Sequence, residues 1–400
     1  MTLSRKTRVL APVVAAAGMA AASIGGGAGA FASVRPHSGA PTLSISDFNV
    51  SFSAMAKLKP LVAEGKGPIA AILPDTVSST RYVEFDAPYL KEAFKDAGLS
   101  SSQFIVENAQ GSASTELTDA QAAIAKGAKV IILDPLDSGS GARIELYAKA
   151  RGVDVIDYDR LTLGGYRKYY DSFNNVQVGT LIGNGFTSCV TAWGVKSPNV
   201  LVMHGAATDN NATLFAQGYN AVLAPYFADG KYTLAGRSVG TWDPPTAETE
   251  FQQAITADPK INAAVIPNDE NGAPIITYLK TLGVKPHTFP TTGQDATLTG
   301  LQNILAGYQC GTVYKPIYLE AQAAVALAMY LRAGVTPPKT LVNNTTKDPQ
   351  TGKSVLSVLL TPEWVTPSNM NSTVIKDKFV PAAQLCAGYS AQCSAAGITS

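Results

Sequence analysis

Short apolar runs alternate with longer helical stretches along most of this chain. The runs are rich in valine, isoleucine and leucine and predict strands at 69–73, 103–107, 130–133, 153–158, 200–204, 232–238, 263–266 and 312–314. The stretches between them predict helices at 82–97, 115–126, 139–151, 175–193, 211–227, 246–257, 271–283, 298–306 and 316–333. Continuous apolar strands that alternate with helices are typical of parallel sheets covered on both faces.

Two series of these elements follow one another, one before about residue 170 and one after it. Each has the size of a doubly wound domain, so the pattern predicts an α/β fold with two doubly wound parallel-sheet lobes. The helix at 316–333 comes after the second series is complete, and we expect it to return to the first lobe. Several strands then form the hinge, and the cleft between the lobes can close around a ligand.

The predicted boundaries follow from this rhythm and from the two ends of the chain. They are 1–32 for a signal peptide, 33–66 for a leader and an N-terminal helix, 67–171 with 314–340 for the N-terminal lobe, 172–313 with 341–381 for the C-terminal lobe, and 382–400 for a cysteine-bearing tail. The N-terminal helix is expected at 51–64, with a possible kink at Pro60.

The first residues have the layout of a secretory signal. Basic residues precede an apolar stretch from Val9 to about Ile24, and an Ala-x-Ala site ends at Ala32. A retained membrane anchor is the alternative, but a spanning helix needs about 20 apolar residues and this stretch becomes rich in glycine and alanine. We therefore predict an exported, extracytoplasmic protein that is cleaved near Ala32.

Charge and composition exclude several classes of partner. The chain has 31 basic and 30 acidic residues, which leaves a net charge of +1 and no electrostatic footprint for nucleic acid. Three scattered histidines and the absence of a Cys-x-x-Cys motif give no zinc ligand set. We expect no metal, no cofactor and no nucleic acid, and a monomer that binds a small neutral ligand.

Four cysteines lie in a chain that is predicted to be exported, where disulfides persist. Cys386 and Cys393 are close enough for a short loop to join them, which leaves Cys189 to pair with Cys310. Four cysteines permit three connectivities, so the sequence alone leaves the pairing open.

Six polar clusters follow the predicted strands. They are Ser-Thr-Arg-Tyr at 79–82, Asp-Tyr-Asp-Arg at 157–160, Thr-Asp-Asn-Asn at 208–211, Pro-Asn-Asp-Glu at 267–270, Gly-Gln-Asp at 293–295 and Val-Tyr-Lys-Pro at 313–316. In open α/β sheets, ligands bind outside the carboxyl ends of the strands. The clusters therefore predict one polar cleft suited to a sugar.

In the first series, Arg81 and Tyr82 open a predicted helix. An arginine there opposes the helix dipole, which indicates another role: its guanidinium suits ring hydroxyls, and Tyr82 offers an aromatic face to a pyranose. Asp159 and Arg160 pair an acceptor with a donor, as a neutral polyol requires. The alternatives are a solvated Arg81 and a purely local ion pair at 159–160.

In the second series, strand ends carry asparagine or aspartate. Asp209 and Asn211 precede a helix, and one residue of this cluster is expected to be only an N-cap. Asn268 and Asp295 repeat the arrangement after later strands. Capping explains each position separately but not their shared location, so we interpret them as ligand-binding candidates.

Two further candidates lie outside this pattern. Trp242 is a large aromatic residue in a Gly-Thr-Trp-Asp-Pro-Pro loop, where it either packs in a core or stacks on a sugar. Lys315 lies where the chain is expected to cross between the lobes. Its ammonium can donate to a ligand hydroxyl or neutralise Asp295 or Asp159, and these roles are compatible.

In this order, the clusters resemble the type I periplasmic sugar-binding proteins of ABC importers, and among them the xylose-binding members. The matching stretches are 158–160, 173–179, 209–215, 268–269, 293–296, 312–316, 359–362 and 373–377. The resemblance implies the type I periplasmic-binding-protein fold. It also implies ligand contacts at Arg81, Asp159, Arg160, Asp209, Asn211, Asn268, Asp295 and Lys315, with aromatic stacking at Tyr82 and Trp242. Tyr82 stands where the xylose-binding members have tryptophan, and residues 33–67 and the tail after about 381 lie outside the resemblance.

The resemblance implies a solute-binding protein that delivers a monosaccharide, xylose or a related aldopentose or aldohexose, to an ABC permease. A sugar-sensing receptor is one alternative. A secreted glycosidase is another, in which two of Asp159, Asp209, Asp269 and Asp295 act as acid and nucleophile. Neighbouring cations keep carboxylates ionised and disfavour a general acid, so we expect no enzymatic activity.

Overall fold

The computed structural model describes Gly39 and residues 41–399. The predicted signal peptide, with its cleavage site, lies outside these residues. The strands are β1 (Ile69–Leu73), β2 (Phe104–Asn108), β3 (Val130–Leu133), β4 (Asp154–Tyr158), β5 (Tyr169–Phe173), β6 (Asn199–Val202), β7 (Thr233–Arg237), β8 (Ala263–Val265), β9 (Gly293–Gln294), β10 (Thr312–Tyr314), β11 (Asn344–Lys347), β12 (Ser354–Leu360) and β13 (Glu363–Val365).

The helices between residues 82 and 333 agree with the predicted ones to within five residues, and the two short helices after residue 381 were not predicted. The helices are α1 (Pro60–Glu64), α2 (Ala87–Asp96), α3 (Ala113–Ala125), α4 (Ser138–Lys149), α5 (Asn175–Ala192), α6 (Asn210–Ala228), α7 (Pro244–Ala257), α8 (Asp269–Thr281), α9 (Leu298–Leu305), α10 (Ile317–Arg332), α11 (Ala382–Leu385) and α12 (Ser390–Ala395). Short 3₁₀ turns occur at Ile45–Asp47 and Ser53–Leu58, and π-helical turns at Tyr82–Asp86 and Asn371–Ile375.

A seven-stranded sheet in the order β11-β12-β5-β4-β3-β1-β2 forms what we call the first lobe. Its strands are parallel except for β11, which runs antiparallel to β12. Residues of β1 alternate between two cores: Ile69 and Ala71 face the alanine-rich α10, whereas Ala70 and Ile72 face α3 and α4. Burial on both faces explains the uninterrupted apolar sequence of β1, and the expected return of α10 to this lobe is confirmed.

Strands β5, β11 and β12 correct the predicted lobe boundaries. Residues 341–381 were expected in the C-terminal lobe, but β12 pairs in parallel with β5, with Leu356 opposite Tyr169. The prediction is therefore wrong for 344–360, because strand pairing depends on long-range contacts that local periodicity does not encode. The Tyr-Tyr-Asp-Ser-Phe sequence of β5 also lacks the aliphatic run that identified the other strands.

A second lobe is built on β7-β6-β8 and β9-β10-β13. These two groups are joined by the hydrogen bond that Ala264 N donates to Pro290 O at 2.9 Å. Helices α5 and α6 cover one face and cross closely, because Gly179 and Gly218 lie at the contact and a Cβ on Gly218 would lie 2.3 Å from Val176 O. The second doubly wound series predicted from sequence is therefore present.

The N-terminal segment and the cysteines complete the described chain. The helix predicted at 51–64 is a 3₁₀ turn followed by α1, since Pro60 begins a new helix at N1. The pairings favoured by spacing are confirmed as Cys189–Cys310 and Cys386–Cys393. Between residues 41 and 399, no helix combines the length and the hydrophobicity that a membrane span requires.

Candidate ligand-binding site

The ten predicted site residues line one cavity between the lobes. They are Arg81, Tyr82, Asp159, Arg160, Asp209, Asn211, Trp242, Asn268, Asp295 and Lys315. They lie in the segments that follow the carboxyl ends of strands, from directly after β4 for Asp159 to nine residues after β1 for Tyr82. All but the half-buried Trp242 are buried.

Arg81 is held by three carboxylates. Its Nε and Nη2 donate to both oxygens of Asp86, Nη1 donates to Asp159 Oδ1 at 2.9 Å, and Nη2 also donates to Glu320 Oε2 at 2.5 Å. Four of its five N–H groups thus have acceptors among the described residues, and one on Nη1 is left for a ligand. The alternative of a solvated Arg81 is wrong, because only 2% of this residue is exposed.

Asp159 adopts a left-handed backbone, with φ of 54°. Its N–H donates to Asp171 O, and its carbonyl accepts from Ser172 Oγ at 2.7 Å and Tyr170 OH at 3.1 Å. These bonds hold a conformation that is uncommon for a residue other than glycine and that is enriched at functional sites. Burial raises the pKa of the side chain, but Arg81, Lys315 and Arg160 outweigh it and lower the pKa to about 2. Asp159 is therefore an ionised acceptor at neutral pH.

Arg160 and Tyr82 form a second polar layer. Arg160 Nη2 donates to Tyr82 OH at 3.0 Å, and Tyr82 OH donates to Asp159 Oδ2 at 3.3 Å. Arg160 Nε lies 3.6 Å from Asp209 Oδ2, on the other lobe. The interpretation of 159–160 as only a local ion pair is wrong, since the charged partners of both side chains lie elsewhere in the chain.

Asp209 both caps α6 and faces the cavity. Its Oδ1 accepts from Asn211 N at 2.9 Å, and its Oδ2 accepts from Trp242 Nε1 at 3.0 Å. Burial raises the pKa of Asp209, an effect that Arg160 partly offsets. Asn211 reaches across the cleft and donates from Nδ2 to Asp159 O at 2.9 Å. The predicted capping role therefore belongs to Asp209, in addition to its place in the cavity wall.

Further hydrogen bonds join the lobes directly. Thr80 N donates to Glu270 Oε1 at 2.9 Å, and Ser79 Oγ donates to Asp295 Oδ2 at 3.0 Å. Asn268 caps α8 with Oδ1 and donates from Nδ2 to Ser78 O at 3.2 Å. The described conformation therefore has the lobes closed over the cavity.

Lys315 lies beside Asp295 and Asp159, the two carboxylates that the sequence analysis proposed as its partners. Its Nζ lies 3.2 Å from Asp295 Oδ1 and 3.6 Å from Asp159 Oδ1. Burial opposes the charge, but these two carboxylates raise the pKa of Lys315. Asp295 also has a positive φ, of 89°, so the two carboxylates reach the lysine from similar left-handed turns in different lobes. No group of metal-ligating side chains is found within the described residues.

Sequence reasoning missed part of the cavity wall. Ser78, Phe215 and Gln294 also line it. Phe215 lies one helical turn after Asn211, a spacing that could have identified it. Gln294 belongs to the Gly-Gln-Asp cluster, and its buried Oε1 accepts no hydrogen bond from any described residue. Glu320, which binds Arg81, is the acidic residue of the apolar helix α10, and this was the sequence feature that could have pointed to a role in the site.

This arrangement of two lobes around a closed polar cavity defines a periplasmic binding protein. Residues 69–335 match the family described as "Periplasmic binding protein domain", so the chain belongs to that family. It is 35% identical over 288 residues to the D-xylose-binding periplasmic protein of Escherichia coli strain K12, covering 71% of this chain and 84% of that protein. It is 30% identical over 341 residues to the multiple sugar-binding periplasmic protein SbpA of Azospirillum brasilense, covering 81% and 93%.

Solved structures agree with this assignment. A carbohydrate transporter solute-binding protein from Chloroflexus aurantiacus, in complex with D-glucose, is 27% identical with a TM-score of 0.69, covering 79% of this chain and 97% of that chain. An ABC transporter solute-binding protein from Clostridium phytofermentans with bound β-D-glucose is 25% identical with a TM-score of 0.71, covering 79% and 99%. The predicted type I fold is confirmed. Because these relatives are binding proteins, the chain is one too, and the glycosidase hypothesis is wrong.

Proposed function

We propose that this protein binds a neutral monosaccharide, xylose or a related aldopentose or aldohexose, in the cavity between its lobes and delivers it to an ABC permease. The observation that supports this most directly is the unused hydrogen-bonding capacity of the cavity. Gln294 Oε1 and one N–H of Arg81 have no protein partner among the described residues, and both residues line the cavity. Sugar hydroxyls donate and accept, so they can satisfy both.

The charge balance favours a neutral ligand. Arg81, Arg160 and Lys315 each lie within 4 Å of at least two carboxylates. None of these three cations thus lacks carboxylate partners, so the carboxylate of a sugar acid or a phosphate would compete with a buried ion pair. Trp242 and Phe215, with ring centroids 6.4 Å apart, supply an aromatic wall for the apolar face of a sugar ring.

The location and the partners belong to the same proposal. The names of the relatives place those proteins in the periplasm and, for one solved structure, in an ABC transporter. We infer that this chain is exported with cleavage near Ala32, acts as a monomer and presents its closed, sugar-bound form to the permease. A sugar-sensing role uses the same binding step, and a relative in Rhizobium radiobacter is named a multiple sugar-binding periplasmic receptor.

Isothermal titration tests the proposal. The purified protein is titrated with D-xylose, L-arabinose, D-ribose, D-glucose and D-galactose, and with D-glucuronate as the charged comparison. At least one neutral sugar should bind with a Kd of about 10 μM or tighter, equivalent to about 7 kcal/mol, and glucuronate should bind more weakly. Failure of every neutral sugar at millimolar concentration refutes the proposal.

A pair of matched variants ties the binding to the cavity. Gln294→Leu removes the unpartnered acceptor and should weaken the affinity for the best sugar by about tenfold or more, because a sugar hydroxyl is left unpaired. Gln252→Leu makes the same change on α7, where the amide only donates to Glu248. The control variant should keep the affinity of the unmodified protein.

A further inference from the structure

The chain after β13, residues 366–399, forms a compact C-terminal segment that lies beyond the 69–335 family match. It contains the π turn Asn371–Ile375, α11, α12 and the Cys386–Cys393 disulfide. Its buried apolar residues pack with α9 and with the junction of β10 and α10 in one cluster. These residues are Met370, Val374, Phe379, Val380, Leu385 and Ile398.

Polar contacts fix this segment to the crossing that carries Lys315. Asp377 Oδ2 accepts from Tyr314 OH at 3.1 Å and from Tyr318 OH at 3.3 Å. Tyr314 is the residue before Lys315, and Tyr318 lies in the first turn of α10. The chain on both sides of the site lysine is therefore bonded to one C-terminal carboxylate.

The same segment also reaches the first lobe. The ring of Phe379 stacks on that of Phe85, with centroids 3.9 Å apart and planes 11° apart, and meets the ring of Tyr314 edge-on at 5.0 Å. Phe85 belongs to the π turn Tyr82–Asp86. That turn begins with Tyr82 in the cavity wall and ends with Asp86, which binds Arg81 through both oxygens. One aromatic side chain thus contacts two of the elements that build the cavity.

We propose that the C-terminal segment is a clasp that sets the geometry of the ligand cavity, and that Phe379 is a positioning residue for Arg81, Tyr82 and Lys315. The inference rests on the proposed sugar binding and adds a residue that does not line the cavity. A π turn of five residues is an irregular element that needs support from outside, and two of its residues, Val83 and Glu84, are exposed. The stack on Phe85 supplies that support, and it joins the turn to the strand that ends beside Lys315.

Four variants of the full-length protein test the clasp by titration with the best sugar. Phe379→Ala and Phe85→Leu each remove the stack, whereas Phe85→Tyr keeps the ring. The matched control is Leu385→Ala, which opens the same apolar cluster without a ring contact to the turn. Displacing binding groups by about 1 Å costs up to about 100-fold, so the two stack-breaking variants should each weaken the affinity by at least about tenfold. Phe85→Tyr and Leu385→Ala should stay within about threefold of the unmodified protein, a difference of less than 1 kcal/mol.

The double variant separates positioning from general loosening. If both rings act through one stack, Phe85→Leu with Phe379→Ala should bind no more weakly than the weaker single variant. If Phe379→Ala does not fold, Phe85→Leu and Phe85→Tyr still compare a broken stack with a retained one. Phe85 is only half-buried, so its substitution disturbs the fold less. The clasp is refuted if the stack-breaking variants bind within about twofold of the unmodified protein, or if Leu385→Ala weakens binding as much as they do.

Hydrogen exchange supplies a measurement that needs no sugar. In the unliganded protein, Phe379→Ala should speed amide exchange at residues 82–86 by about tenfold, whereas Leu385→Ala should speed it only around 382–398. Unchanged exchange at 82–86 refutes the clasp even if sugar binds. Absence of sugar binding by the unmodified protein, with faster exchange at 82–86 in the variant, refutes the proposed ligand and supports the clasp.

Discussion

Replacing Asp159 with asparagine removes one negative charge from the centre of the site while keeping the shape of the side chain. The carboxylate accepts from Arg81 Nη1 at 2.9 Å and from Tyr82 OH at 3.3 Å, and lies 3.6 Å from Lys315 Nζ. An asparagine has one acceptor oxygen, so its NH₂ group must face one of these donors. The folded state therefore loses two ion pairs and gains a mismatched contact.

The size of this effect follows from the pKa of Asp159. Burial raises it, but Arg81, Lys315 and Arg160 together lower it from the ordinary 3.8 to about 2. By linkage, this difference in pKa corresponds to about 2 kcal/mol of the free energy of unfolding at pH 7. The substitution also leaves the buried Arg81 with one carboxylate partner fewer, so we expect Asp159→Asn to lower the free energy of unfolding by about 2–4 kcal/mol in total. Since the folded pKa is the lower one, the ionic contribution is complete above the ordinary pKa and is lost as the pH falls through about 2.

Urea unfolding at pH 7 and at about pH 2.5 measures the effect, with Asp154→Asn as the control. Asp154 begins β4, and its partly exposed carboxylate lies 3.6 Å from the exposed Lys168. The control should lose less than about 0.5 kcal/mol at both pH values. The difference between Asp159→Asn and the unmodified protein should shrink by about half or more at the lower pH. A difference that is the same at both pH values would refute the assignment of the stability to the Asp159 charge.

Three further predictions follow from other contacts. Glu270→Ala removes the acceptor that Thr80 N uses across the cleft, so sugar dissociation measured by stopped flow should become about tenfold faster, and an unchanged rate contradicts a role in closure. Gly218→Ala should destabilise the fold by about 1–3 kcal/mol in urea, because the added Cβ meets backbone at the α5–α6 contact. Serine replacement of Cys189–Cys310 should lower stability by about 5 kcal/mol and that of Cys386–Cys393 by about 2, since they close loops of very different length. Equal losses contradict the loop-closure explanation.

The local sequence pattern was enough to predict a strand where every residue of that strand is apolar. Strand β1 is apolar at every position because both of its faces are covered, and it was predicted at its observed bounds. Strand β5 has the same burial but the sequence Tyr-Tyr-Asp-Ser-Phe, and its polar groups serve the turn at Asp159. Because of these polar residues, β5 has no apolar run from which a strand could be predicted. The pairing of β12 with β5 joins residues far apart in sequence, which periodicity cannot specify.

For the candidate site too, sequence position decided which residues could be predicted. Charged and amide residues directly after strands could be predicted because the fold brings those positions together. Asp86 and Glu320 could not, because their role is set by three-dimensional proximity to Arg81 and neither follows a strand. The contact of Phe379 with Phe85 joins two aromatics that are nearly 300 residues apart, and nothing in either local sequence indicates it.

Several of the bonds that close the lobes end on main-chain atoms. Asn211 Nδ2 donates to the carbonyl oxygen of Asp159, and the backbone N–H of Thr80 donates to Glu270. A substitution of the side chain at 159 or 80 leaves these atoms in place, whereas Gln294 lines the cavity with an Oε1 that accepts no hydrogen bond from any described residue, so a substitution there acts on the ligand and not on the contacts between the lobes. Ligand preference can thus diverge between descendants of this chain, or be redesigned in the laboratory, without rebuilding the parts that shut the cleft.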